Sequence, residues 1–149
     1  ETDDAQLTLQ AEIVEMSKKI SLLVTGAAVQ KDMMQLGDPD NEDIVALISN
    51  IVIEVFAMES SLLRAMKSAE KSDNEKSQIQ KAMVKVYVND AFGRVESLAK
   101  QAFATIAEGD TLRTQLSALK KVTRFTPVNT IALRRQIADA VIKVGKYPF

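Results

Sequence analysis

The 149-residue sequence contains no histidine, no cysteine and no tryptophan. Without histidine it lacks the side chain that titrates near neutral pH. Without cysteine it can form no disulfide, thiolate nucleophile or zinc–thiolate site. Ser-His-Asp and Cys-His catalysis are therefore excluded. Glycine and proline are scarce, at five and three, too few for the tight turns of a sandwich or barrel. The glycines are scattered singly, so neither a P-loop nor a dinucleotide fingerprint can be written. No apolar run approaches the ~20 residues of a membrane span, and nothing near Glu1 resembles a signal-peptide core. The missing cysteine suits a reducing compartment, and we expect a cytoplasmic protein. What is present is 46% hydrophobic, 26% charged and of net charge −1. That composition fits a single soluble domain over residues 1–149, all-α, with little catalytic equipment. The first residue is Glu1 and not Met, so we expect a piece of a longer polypeptide.

Apolar spacing predicts five helices, three long and two short, in an antiparallel bundle. The first spans about Asp4 to Leu36, with Leu9, Ile13, Met16, Ile20, Leu23, Ala27 and Met34 on one face. Gly37-Asp38-Pro39 stops it. The second starts at Asp40 or Asn41 and ends near Lys71, with Ile44, Ile48, Ile51, Val55, Met58 and Leu62 as its stripe. Ser72-Asp73-Asn74-Glu75 reads as a capping box for the third, which runs to about Ala107 with Gly109 as its stop. Ile79, Met83, Val86 and Tyr87 mark its first face. From Val88 onward the apolar arc widens through Phe92, Val95, Phe103 and Ile106, so this helix is central or covered on several sides. The fourth runs from Asp110, its N-cap, to Arg124. The fifth follows Thr126-Pro127 and ends near Val144, with Leu133, Ile137, Val141 and Val144 inward. Near-heptad spacing also permits an extended coiled coil, but short connections and broad apolar arcs favour the bundle.

Three constellations invite a chemical reading. A carboxylate-bridged di-metal site needs Glu-x-x-His pairs; there is no histidine, and Glu12 and Glu15 lie on the polar side of their helix. Glu59, Asp90 and Arg94 fall within apolar arcs, with Tyr87 nearby. They read as a buried, ion-paired polar layer or as a ligand or acid/base site. In the first case removal of Arg94 strands a charge and costs ~3–5 kcal/mol. The six methionines are either core or the lining of an adaptable pocket between helices.

Charge is unevenly spread. Residues 110–149 hold Arg113, Lys120, Lys121, Arg124, Arg134, Arg135, Lys143 and Lys146 against Asp110 and Asp139 alone. This part carries +6 and the remainder −7. The basic part is a candidate docking surface for the acidic bundle, a neighbouring domain, a phosphate-bearing ligand or an anionic membrane. The basic residues are not interleaved with stacking aromatics, so nucleic acid is not an expected partner.

The stretches Ala107-Glu108-Gly109-Asp110-Thr111-Leu112-Arg113, Thr126-Pro127-Val128-Asn129-Thr130 and Leu133-Arg134-Arg135-Gln136-Ile137-Ala138-Asp139 resemble the extreme C-terminus of bacterial acyl-CoA dehydrogenases. The similarity is to the very-long-chain type, which has an added C-terminal domain. Ile48-Ser49-Asn50-Ile51-Val52-Ile53-Glu54-Val55-Phe56-Ala57-Met58-Glu59-Ser60 is similar to the second helix of that domain. The resemblance runs from about Asp40 onward and is weaker before it. It implies a parent flavoprotein that oxidises fatty acyl-CoA, with FAD, catalytic glutamate and acyl-CoA pocket in preceding domains. It further implies an accessory role in dimerisation or docking on those catalytic domains, and a link to membrane association. No catalytic, cofactor or metal residue carries over to this chain. The competing expectation is a free-standing helical adaptor that meets a partner protein or membrane through the basic C-terminal part.

Overall fold

The computed structural model describes residues 7–35, 37–71, 74–123 and 130–144. Five α-helices follow one another: α1 (Thr8–Gln30), α2 (Glu42–Lys71), α3 (Glu75–Ile106), α4 (Gly109–Val122) and α5 (Thr130–Val144), with a 3-10 turn at Pro39–Asn41. No strand occurs among the described residues, and the all-α bundle of three long and two short helices stands.

α3 is the hub. Among the described residues it packs against α1, α2, α4 and α5, whereas α2 meets only α1, α3 and the 3-10 turn. Its sequence explains this: Val84, Val88, Ala91, Phe92, Val95, Ala99, Ala102 and Phe103 are all buried, a stripe too wide for one neighbour. Against it lie Ile13, Ile20 and Val24 of α1, Ile44, Ile51, Met58 and Leu62 of α2, and Leu119 of α4. Five of the six methionines join this packing, Met58 fully and Met16, Met33, Met34 and Met66 partly.

Several boundaries differ from expectation. α1 ends at Gln30, well before Leu36. Lys31 caps it, and Asp32 takes φ 58°. The Asp32 amide donates to the Val29 carbonyl at 2.9 Å and the Met33 amide to the Ala28 carbonyl at 2.8 Å. These are the two crossed bonds of a Schellman cap, built on an aspartate, which tolerates the left-handed region better than most residues. Gly37, at φ 86°, lies beyond the helix in the following loop. The α1 stripe is also rotated: Val14, Ser17, Val24 and Ala28 face inward, while Leu23 is partly exposed. On α3 the N-cap is Asn74, whose Oδ1 accepts from the Ser77 amide at 2.9 Å; Ser72 and Asp73 lie outside the described residues. α3 closes at Ala107, and Gly109 (φ 65°) opens α4, with Glu108 and not Asp110 in the cap position. Thr126 and Pro127 also lie outside the described residues.

α2 is the one described helix long and apolar enough to cross a membrane, with mean hydropathy 1.7 over an 18-residue stretch. Counting unbroken apolar runs missed it, because Glu54 and Glu59 interrupt the stretch. Only 22% of that stretch is buried. The helix nevertheless packs into the core through Ile44, Ile51 and Met58, so it serves as a bundle helix with a free side.

Candidate functional site

The polar residues picked out from the sequence divide among three helix seams. Across α2 and α3, Arg94 Nε donates to Glu54 Oε2 at 2.6 Å. The same guanidinium lies 5.9 Å from the centre of the Tyr87 ring, within cation–π range. The Glu54 hydrogen bond holds the Arg94 pKa above its ordinary value, against a smaller opposing effect of burial. Across α3 and α5, Arg134 Nη2 donates to Asp90 Oδ2 at 2.5 Å. Across α1 and α2, Lys18 pairs with Glu59 and also, at 3.3 Å, with Glu15. The Glu59 hydrogen bond is the main cause that raises the Lys18 pKa.

Glu59, Asp90, Arg94 and Tyr87 therefore do not form one buried layer. Arg94 is 49% exposed and Glu59 39%. The reason is helical geometry. Glu54 and Glu59 are five positions apart, about 140° of rotation, so they flank the α2 core stripe on opposite sides. Each then finds a cation on a different neighbouring helix, at the rim.

Among the described residues, the charged group that is buried is one the sequence pattern did not pick out. Lys81 is 2% exposed, on the stripe that continues through Val84 and Val88. Reading the first half of α3 as an Ile79–Met83–Tyr87 face hid it. The four-residue steps Ser77, Lys81 and the three-residue step to Val84 are the signal that would have placed it inward.

Beside the Arg94–Glu54 pair, the α2–α3 seam holds an open cavity of about 300 Å³. Ser61, Arg64, Gln80, Met83, Val84 and Tyr87 line it, and Ser68 hydrogen-bonds Gln80 at its edge. This volume is at the low end for small-molecule sites. With one guanidinium, one phenol and no glycine turn to admit a pyrophosphate, it does not fit a flavin dinucleotide. Among the described residues, no group of three acidic side chains is placed to hold a metal ion.

The basic residues are similarly divided. Arg134 pairs with Asp90, and Lys143 Nζ reaches Glu75 Oε1 at 3.5 Å, so α5 is tied to α3 at both ends. Arg113 pairs with Asp110 of its own helix at 3.0 Å. Lys120, Lys121 and Arg135 are exposed. Arg124 and Lys146 lie outside the described residues.

The sequence pattern of the family described as "Acyl-CoA dehydrogenase, C-terminal domain" matches residues 16–121. The chain belongs to that family. The match runs from within α1 through most of α4, so it includes the segment before Asp40 where the resemblance was weaker. A "probable acyl-CoA dehydrogenase" of Bacillus subtilis (strain 168) is 36% identical over 135 residues, which cover 91% of this chain and 22% of that protein. A crystal structure of an acyl-CoA dehydrogenase complexed with FAD, from Bacillus anthracis, superposes with a TM-score of 0.87 at 36% identity. It covers 99% of this chain and 25% of that one. The structural likeness thus includes α5, which the family pattern does not reach. The chain spans about a quarter of the length of these relatives.

Proposed function

We propose that the chain is the C-terminal helical domain of a longer, cytoplasmic, FAD-dependent acyl-CoA dehydrogenase, and that it supports assembly of the enzyme without catalysing anything itself. The observation that carries this reading is the superposition of nearly the whole chain on one quarter of an acyl-CoA dehydrogenase complexed with FAD. The side-chain chemistry agrees. Arg94 and Glu54 of the α2–α3 seam, and Arg134 and Asp90 across α3 and α5, are engaged with each other in rim ion pairs, and the cavity of the α2–α3 seam does not fit the flavin. In this reading the flavin and the carboxylate that takes a proton from the acyl-CoA lie in the remaining three quarters of the polypeptide. The domain contributes surface for docking on those catalytic parts and for a homodimer.

The test compares two proteins, the 149-residue chain and the longer polypeptide that carries it. Each is titrated with FAD, then given acyl-CoA and an electron acceptor. The longer protein is expected to hold flavin and turn over, and the chain alone to do neither. Flavin binding or turnover by the chain alone overturns the accessory role. Absence of both from the longer protein overturns the assignment to a dehydrogenase.

A further inference from the structure

The outward side of α2 carries large apolar residues that the bundle leaves uncovered. Val52, Ile53, Phe56 and Leu63 are 50%, 62%, 71% and 58% exposed. They occupy one arc of the helix, turned away from Ile51, Val55, Met58 and Leu62, which enter the core. From Val52 to Leu63 this arc is about 17 Å long at ~1.5 Å rise per residue. The arc carries no charge. The two carboxylates within that length, Glu54 and Glu59, are turned to the flanking seams, where Arg94 and Lys18 hold them.

α1 extends the same surface. The Lys18–Glu59 pair fixes the register of the two antiparallel helices. One turn past Lys18 comes Leu22, 73% exposed, and two turns further Val29, 60% exposed. Going the other way along α2 from Glu59 leads to Phe56 and Val52. The apolar residues of both helices therefore run side by side on one face.

Resting on the accessory-domain reading above, we infer that this α1–α2 face is where the remainder of the dehydrogenase polypeptide docks, through an uncharged apolar surface of its catalytic part. Two observations select this occupant. About three quarters of the length of the relatives lies outside this chain, so a large tethered body is present in them. Two helices about 10 Å wide over ~17 Å offer roughly 340 Å². That falls short of the ~800 Å² per partner of a standard free complex. A tethered partner needs less, because the linkage supplies a high effective concentration.

The absence of cysteine makes the face open to thiol footprinting. Ser49 is exposed on the same arc, one turn before Ile53. Ser49→Cys is placed in the 149-residue chain and in the longer polypeptide. Alkylation by a maleimide is then followed at the peptide that contains residue 49, relative to the urea-unfolded protein. The expected result is rapid modification in the chain alone and at least tenfold slower modification in the longer protein. Equal rates in the two overturn the docking face. Concentration-dependent protection in the chain alone overturns it in favour of a second copy. Protection of the chain alone by vesicles of anionic phospholipid overturns it in favour of a lipid surface. A longer protein that turns over acyl-CoA while residue 49 stays reactive refutes the face and leaves the accessory-domain reading standing.

Discussion

Arg94 on α3 reaches across the bundle to Glu54 on α2, forming a 2.6 Å ion pair at the rim and not in the core. This relationship sets the energetic weight of the polar residues along the seam. A half-exposed pair gains little over its hydration, typically ~0–1 kcal/mol, and salt screens it further.

Arg94→Met is therefore expected to cost about 1 kcal/mol or less, and not the loss expected of a buried cation. Thermal melts of the parent and variant at low and high salt check this. The difference should be small at low salt and smaller still at high salt. A loss of several kcal/mol would show that the pair is shielded from water.

Two phenylalanines should separate core from docking face. Phe103 is 2% exposed among the α3 core residues, and Phe103→Ala is expected to cost ~3–5 kcal/mol. Phe56 is 71% exposed, and Phe56→Ala in the chain alone should change stability by no more than ~0.5 kcal/mol. Urea unfolding of each variant reads both values.

Two glycines should respond in opposite directions. Gly93 lies within α3 with nothing near the position of an added Cβ. Gly93→Ala should stabilise by ~0.5–1 kcal/mol, since alanine loses less backbone freedom. Gly109 holds φ 65° at the start of α4, and Gly109→Ala should cost ~1–2 kcal/mol for the left-handed backbone. The two melting temperatures should move apart by several degrees.

Lys18 supplies a pH signature. Its folded pKa is raised, chiefly by Glu59. The linked stability is therefore complete below the unfolded lysine pKa of ~10.4. It is lost as pH rises through the higher folded value. Titration of the Lys18 ε-methylene by NMR should show a midpoint above that of free lysine, and Glu59→Gln should bring the midpoint down. An unchanged midpoint in Glu59→Gln would remove Glu59 as the cause.

Much of this architecture is legible in the sequence because it depends on local rules. The number and order of helices follow from apolar periodicity and from the shortage of turn residues. The central place of α3 follows from the width of its apolar arc after Val88. The family resemblance follows from the stretches Ile48–Ser60 and Ala107–Arg113, and the family match then extended it back to Met16. The chemistry that the chain cannot perform through histidine or cysteine is fixed by composition alone.

What only the tertiary structure decides is which side of each helix meets which neighbour. Periodicity gives the angle between two residues on one helix, but not the cation waiting on the next. Glu54 and Glu59 thus part to α3 and α1, Asp90 goes to Arg134 on α5, and the expected buried layer becomes three rim pairs. The same rotation brings Lys81 into the core and leaves Phe56 outside. Side-chain burial depends on the packing of several helices at once, and a one-dimensional pattern records only the helix on which it is written.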